Sequence, residues 1–158
     1  MGLDMYLYVS NTYYSKYGRD EQKEKENVKT VAKMIKAEDF LFDDDFQSAT
    51  VQLQVAYWRK ANAIHKFFVD TCANGEDDCQ EIYVDRDHLV ELKSLCEKVL
   101  ENHDLAPELL PTQSGFFFGS YEYDEWYFEN LKNTIKQISK VIDRTEDTCW
   151  DITYSASW

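Results

Sequence analysis

Apolar and polar positions alternate over residues 3–10. Leu3, Met5, Leu7 and Val9 fall on one side; Asp4, Tyr6, Tyr8 and Ser10 fall on the other. A period of two predicts a half-buried strand. Residues 11–19 break the pattern with tyrosines, Asn11, Ser15 and Gly18, and predict a loop. Over residues 20–38 the period changes. Val28, Val31, Ala32 and Ile35 recur at helical spacing in a charge-dense stretch, which predicts a helix with a narrow apolar stripe. Residues 51–57 alternate again, and a helical period takes over from about Ala56 to Cys72, with Tyr57, Ala61, Ile64 and Phe68 on one face. Asn74-Gly75 supplies its stop signal.

Ile82-Tyr83-Val84 predicts a short strand, and Asp85 an N-cap for a helix reaching about Asn102. Leu89, Leu92, Cys96, Val99 and Leu100 form its apolar face, which makes Cys96 a core residue. A long stripe follows from Tyr127 through Leu131, Thr134, Ile135, Ile138 and Val141 to Ile142. Glu122, Asp124 and Glu125 stand where carboxylates suit a helix N-terminus. The tail, residues 149–158, predicts a terminal strand pairing with the first, its final Trp158 docked rather than loose. Together these elements predict a single α+β domain over 1–158, with three or four helices packed on a small, mainly antiparallel sheet.

Between the last two helices lies a segment of a different kind: Leu109-Leu110-Pro111-Thr112-Gln113-Ser114-Gly115-Phe116-Phe117-Phe118-Gly119-Ser120. Pro111 restricts the backbone, while Gly115 and Gly119 permit left-handed turns or close approach. Three adjacent phenylalanines cannot share one face of a strand. Two readings stay open. The segment is a connector whose rings plug the core, or a loop walling a ligand pocket with Gln113 and Ser114 as polar contacts and Phe117 among the aromatics.

Composition narrows the classes of function. The chain is 44% apolar and 15% aromatic, which favours a folded globule over disorder. A net charge of −13 disfavours direct nucleic-acid binding and suits a basic partner. No run of about 18 apolar residues predicts a membrane span. The N-terminus lacks the features of a signal peptide, and Tyr6 stands where a myristoylation signal needs Ser or Thr; a cytoplasmic protein with reduced Cys72, Cys79, Cys96 and Cys149 is expected.

The densest set of chemical groups is Trp58, Arg59, Lys60, Asn62, His65 and Lys66. Arg59 offers a fork for phosphate or carboxylate and His65 a proton shuttle. With Gln113 and Ser114 they would form an anion or nucleotide pocket, provided the helix bearing Arg59 and His65 rests against the Pro-Gly-Phe segment. The plainer alternative pairs the bases with neighbouring carboxylates. Cys79 with His65 and Asp77 or Asp78 is conceivable as a nucleophile set only once the chain folds. Asp43-Asp44-Asp45 lacks the ligand spacing and glycine of a calcium loop, and the histidines and cysteines lack zinc spacing; no metal or cofactor is expected.

Several segments taken together carry a resemblance. They are the opening Met1-Gly2-Leu3-Asp4-Met5-Tyr6-Leu7, then Tyr57-Trp58-Arg59-Lys60-Ala61-Asn62-Ala63-Ile64-His65-Lys66, Asp77-Asp78-Cys79 and Tyr83-Val84. Further on come Leu110 through Ser120, Tyr123-Asp124-Glu125-Trp126-Tyr127 and the closing Tyr154-Ser155-Ala156-Ser157-Trp158. In these the chain resembles a family of small uncharacterised proteins encoded by bacteriophages and prophages. The resemblance covers most of the chain outside residues 11–50. It implies the cytoplasm of a bacterial host and no catalytic residue. Two expectations follow. One is a non-enzymatic acidic protein binding a basic host component, a defence factor being one example. The other is a small-ligand or nucleotide-binding protein, an enzyme included, with its pocket between a 57–70 helix and the 109–120 loop.

Overall fold

The structure is a computed structural model that describes residues 2–16, 20–41, 47–115, 118–146 and 148–158. Its elements are strand β1 (Asp4–Tyr14), helix α1 (Glu21–Met34), strand β2 (Ser48–Arg59), helix α2 (Asn62–Cys72), strand β3 (Ile82–Tyr83), helix α3 (Arg86–Glu101), the one-turn helix α4 (Ala106–Leu109), helix α5 (Glu125–Thr145) and strand β4 (Asp151–Ser157). The fold is α+β, with helices packed on a four-stranded antiparallel sheet in the order β2-β1-β4-β3. The described residues form five α-helices rather than three or four, because the turn ahead of Pro111 closes as α4, with Pro107 in its first turn.

The chain groups into two compact units, one of Met1–Val9 with Gln54–Trp158, the other of Ser10–Leu53. In the first unit, β4 lies between β1 and β3, as the tail's pairing with the first strand requires. Ile82 pairs with Tyr154 and Tyr83 with Thr153. Leu3, Met5 and Leu7 point into the core, as do Ile152, Tyr154 and Ala156. The α5 stripe behaves as its spacing predicts: Tyr127, Leu131, Thr134, Ile138, Val141 and Ile142 are buried. They face Leu89, Leu92, Cys96 and Val99 of α3 in the most extensive helix–helix contact among the described residues. Each such aliphatic side chain contributes roughly 1.5–3 kcal/mol by leaving water. Asp124 caps α5 by accepting from the Tyr127 N–H at 2.9 Å, and Asp85 opens α3 with its N–H bonded to His88 Nδ1 at 3.3 Å. Burial pushes the Cys96 thiol up to about 12, as a core cysteine should behave.

In the second unit α1 begins at its N-cap Asp20, whose carboxylate accepts from the Lys23 N–H at 3.1 Å. Val28 and Ala32 are its buried residues. The outer part of β1 extends to Tyr14, into the stretch whose composition predicts a loop. Thr12 and Thr50 join hydroxyls at 2.9 Å, and the Gln47 N–H donates to Ser15 Oγ at 2.7 Å. Two motifs singled out in the sequence, Asp43-Asp44-Asp45 and the Phe117 ring, lie outside the described residues.

Candidate functional site

The corner between β2 and α2 is built differently from its sequence pattern. Strand alternation runs on to Arg59, and α2 starts only at Asn62, so the predicted 57–70 helix begins five residues too early. The chain turns at Lys60, which adopts φ +56 while its N–H still donates to Leu3 O at 2.8 Å. A lysine in the left-handed region carries no compositional warning, unlike glycine or asparagine. The consequence is that Trp58 sits on a strand face. It is buried and donates from Nε1 to Thr134 Oγ1 at 2.8 Å. Arg59 points to solvent.

Asn62 ties this corner to the 109–120 segment. Its Nδ2 donates to Phe118 O at 3.2 Å and Ser120 O at 2.8 Å, and its Oδ1 accepts from the Gln113 N–H at 3.3 Å. Gly119 takes φ +100, where any Cβ would stand only 3.0 Å from Lys60 Cβ, so the loop presses directly on the turn. Phe118 is buried, with its ring 5.3 Å from that of His65. The helix and the loop therefore meet, but through bonds that fasten one to the other. Ser114 is exposed, and Gln113 Oε1 is buried with no hydrogen-bond partner among the described residues. Asn62→Ala should release the loop by removing three bonds at once. We expect about 2–3 kcal/mol of lost stability, and hydrogen exchange at residues 113–115 and 118–120 should rise well before global unfolding.

His65 is the centre of a second network. Its ring is buried, with Nε2 3.1 Å from Asp77 Oδ2 and Nδ1 2.7 Å from the Tyr154 hydroxyl. A carboxylate only accepts, so Nε2 carries the hydrogen and Nδ1 accepts from Tyr154. Burial holds the imidazole below its ordinary pKa, opposed in part by the Asp77 charge, and burial followed by the same carboxylate keeps the Tyr154 phenol well above its own. Trp158, docked on one side, stands 5.4 Å from the His65 ring and 5.7 Å from Phe118. Cys79, in the left-handed region at φ +62, shares a void of ≈ 10 Å³ with His65, Asp77 and Tyr154. Both imidazole nitrogens are engaged by Asp77 and Tyr154, which leaves His65 no lone pair to act as base for a Cys79 thiol. Asp77 appears in the sequence reading as one option. Tyr154, 89 residues from His65, offers no local signal.

A different opening lies beside the loop. A cavity of ≈ 20 Å³, room for about one water-sized group, is lined by Lys60, Asn62, Ser120, Glu122, Asp124 and Trp126 among others. Around it the surface is acidic and aromatic: Tyr121 is 50% and Trp126 61% exposed, with Glu122, Asp124, Glu125 and Glu129 between and beside them. Of the residues expected to bind a ligand, Asn62 lines this cavity and His65 the smaller void. Arg59, Gln113 and Ser114 line neither. Among the described residues, no cluster of three or more His, Cys, Asp or Glu is placed to hold a metal ion, and no helix is long and apolar enough to cross a membrane. No family model, curated protein or solved structure matches the chain.

Proposed function

We propose that the chain is a phage or prophage accessory protein that works by binding a basic host protein, without catalysis. The observation that carries this is the 121–129 surface, where two largely exposed aromatic rings stand among four carboxylates. Tyrosine and tryptophan anchor interfaces because they bury a large rigid surface and keep a polar tip. An indole flanked by carboxylates also suits a lysine or arginine side chain, through its face and through charge. The excess of 30 acidic over 17 basic residues steers such a partner from a distance. The resemblance to phage-encoded proteins supplies the host context, in which a defence factor is a natural target. A nucleotide pocket gains no comparable support, since Trp58, Asn62 and His65 spend their polar atoms inside the protein.

The test is capture from a bacterial lysate by immobilised protein, followed by affinity measurement on whatever is retained. Trp126→Ala should weaken binding about thirtyfold, as loss of an interface anchor worth about 2 kcal/mol does. Glu122→Gln with Glu125→Gln should slow association and flatten its dependence on salt. A retained partner that is acidic, or one indifferent to both changes, refutes the reading.

A further inference from the structure

Separate parts of the first unit meet at the His65 ring. Helix α2 carries it, the 75–81 loop reaches it through Asp77, β4 reaches it through Tyr154, and the rings of Phe118 and Trp158 stand against it. The two hydrogen bonds of the imidazole are of opposite sense. Nε2 donates to the Asp77 carboxylate at 3.1 Å, and Nδ1 accepts from the Tyr154 hydroxyl at 2.7 Å. That arrangement belongs to the neutral ring. A proton enters at Nδ1, which turns from acceptor into donor. The Asp77 arm is then strengthened, because its hydrogen bond becomes an ion pair. The Tyr154 arm is broken as it stands. Even if the hydroxyl oxygen turns to accept from Nδ1, the hydroxyl hydrogen has no other partner among the described residues.

The surroundings decide which part gives way. Tyr154 is fully buried and its ring stacks on Phe68 at 4.2 Å, so the ring stays and the hydroxyl needs water. The void beside it, ≈ 10 Å³, is at the lower limit of what one water fills, so a wall must move. One wall is the 75–81 loop. It is tied by Asp77 and by the Gly75 and Glu76 N–H groups, which donate to Val69 O and Ala73 O at 3.0 Å each. The other wall is Ala156 and Trp158. β3 pairs with Thr153 and Tyr154 of β4, so residues 155–158 extend past that edge. Trp158 is 37% exposed and is held to His65 and Phe118 by ring contacts at 5.4 and 5.7 Å. The contact with an imidazolium gains some cation–π attraction, but at so exposed an indole it stays weaker than a charge-assisted hydrogen bond.

We infer that His65 is a proton-operated latch: the neutral ring fastens the 155–158 segment against α2, and a proton on Nδ1 lets that segment go while the 75–81 loop is held more tightly through Asp77. The titratable and charged groups facing the ring are Glu76, Asp77, Asp78 and Cys79 from the loop and Tyr154 from β4; Phe118, Ala156 and Trp158 bring none in their side chains. Of these, Asp77 and Tyr154 bond the imidazole. Burial opposes the proton more than Asp77 favours it, which places the release below about pH 6.5. General weakening of the fold by acid loosens both segments together. The latch makes them diverge, since one proton breaks one arm and strengthens the other.

The test is amide hydrogen exchange on the whole chain by NMR, from about pH 7.5 down to about pH 5, corrected for the intrinsic pH dependence of exchange. The His65 ring nitrogens are followed over the same range. Protection at residues 155–158 should fall by up to about tenfold per pH unit once the ring titrates. Nδ1 should gain its proton over the same interval, while protection at residues 76–80 holds or rises. Tyr154→Phe removes the hydroxyl and should erase the pH dependence at 155–158; the wild-type comparison stands if that variant fails to fold. Loss of protection at both segments together, or at neither, overturns the inference. So does loosening of 155–158 while Nδ1 stays unprotonated, or a pH dependence there that survives in Tyr154→Phe.

Discussion

Trp58→Ala is expected to cost about 3–5 kcal/mol, the range for truncating a fully buried aromatic side chain. In a chain of this length that lowers the melting temperature by roughly 10 °C. The indole is buried within the core cluster, its ring 6.1 Å from that of Phe68, so truncation opens a cavity that the surrounding strands cannot collapse to fill. Its hydrogen bond can be read separately. Trp58→Phe removes the N–H and part of the volume but leaves Thr134 satisfied, because that hydroxyl also donates to Asn130 O at 2.7 Å. Thr134→Val does the reverse and strands a buried indole N–H, which should cost about 1–3 kcal/mol. The double variant should cost less than the sum of the two, since the second change removes a partner already lost. Urea melts of wild type, Trp58→Ala, Trp58→Phe, Thr134→Val and the Trp58→Phe/Thr134→Val double variant decide it. A Trp58→Ala loss below about 1 kcal/mol would mean that the residue is not in a packed core.

How much of this could be read in the chain depends on whether a residue's role is local. The apolar stripe of α5, the core position of Cys96 and the inward face of β1 follow from periodicity, which local backbone geometry creates, and the cap at Asp85 from the local bonding of a short carboxylate side chain. The corner at Lys60 does not. Val55, Tyr57 and Arg59 alternate with Ala56 and Trp58, yet Tyr57, Ala61, Ile64 and Phe68 also fit a helix, and only tertiary pairing with Leu3 settles which period wins. For the same reason Trp58 and Arg59 read as neighbours on a helix, although one is buried on the sheet and the other faces water. The meeting of α2 with the 109–120 segment was legible as an aromatic and polar complementarity. That Asn62 would spend its whole amide on that segment was not, because three backbone groups 51 to 58 residues away carry no side-chain signature.

The second large effect concerns His65. His65→Phe keeps most of the ring volume but leaves the Tyr154 hydroxyl buried without its acceptor and Asp77 without its donor, a loss of about 2–4 kcal/mol. Tyr154→Phe should cost about 1–2 kcal/mol, and the double variant less than the sum. The pH dependence gives a sharper reading. The folded pKa of His65 lies below its unfolded value of about 6.5, so the unfolded chain binds the proton more readily. Its contribution to stability is therefore complete above pH 6.5 and is lost as pH falls below that value towards the folded pKa. The slope can reach about 1.4 kcal/mol per pH unit for one proton. Acidification also neutralises carboxylates in a strongly acidic chain, which changes self-repulsion in every variant alike. The quantity to measure is the difference between wild type and His65→Phe in urea melts at successive pH values. That difference should shrink as pH falls from 7.5 to about 5, because the penalty for protonating a buried imidazole exists only in the wild type. A constant difference would mean that the imidazole titrates as it does in the unfolded chain, and a growing one that Asp77 raises its pKa by more than burial lowers it.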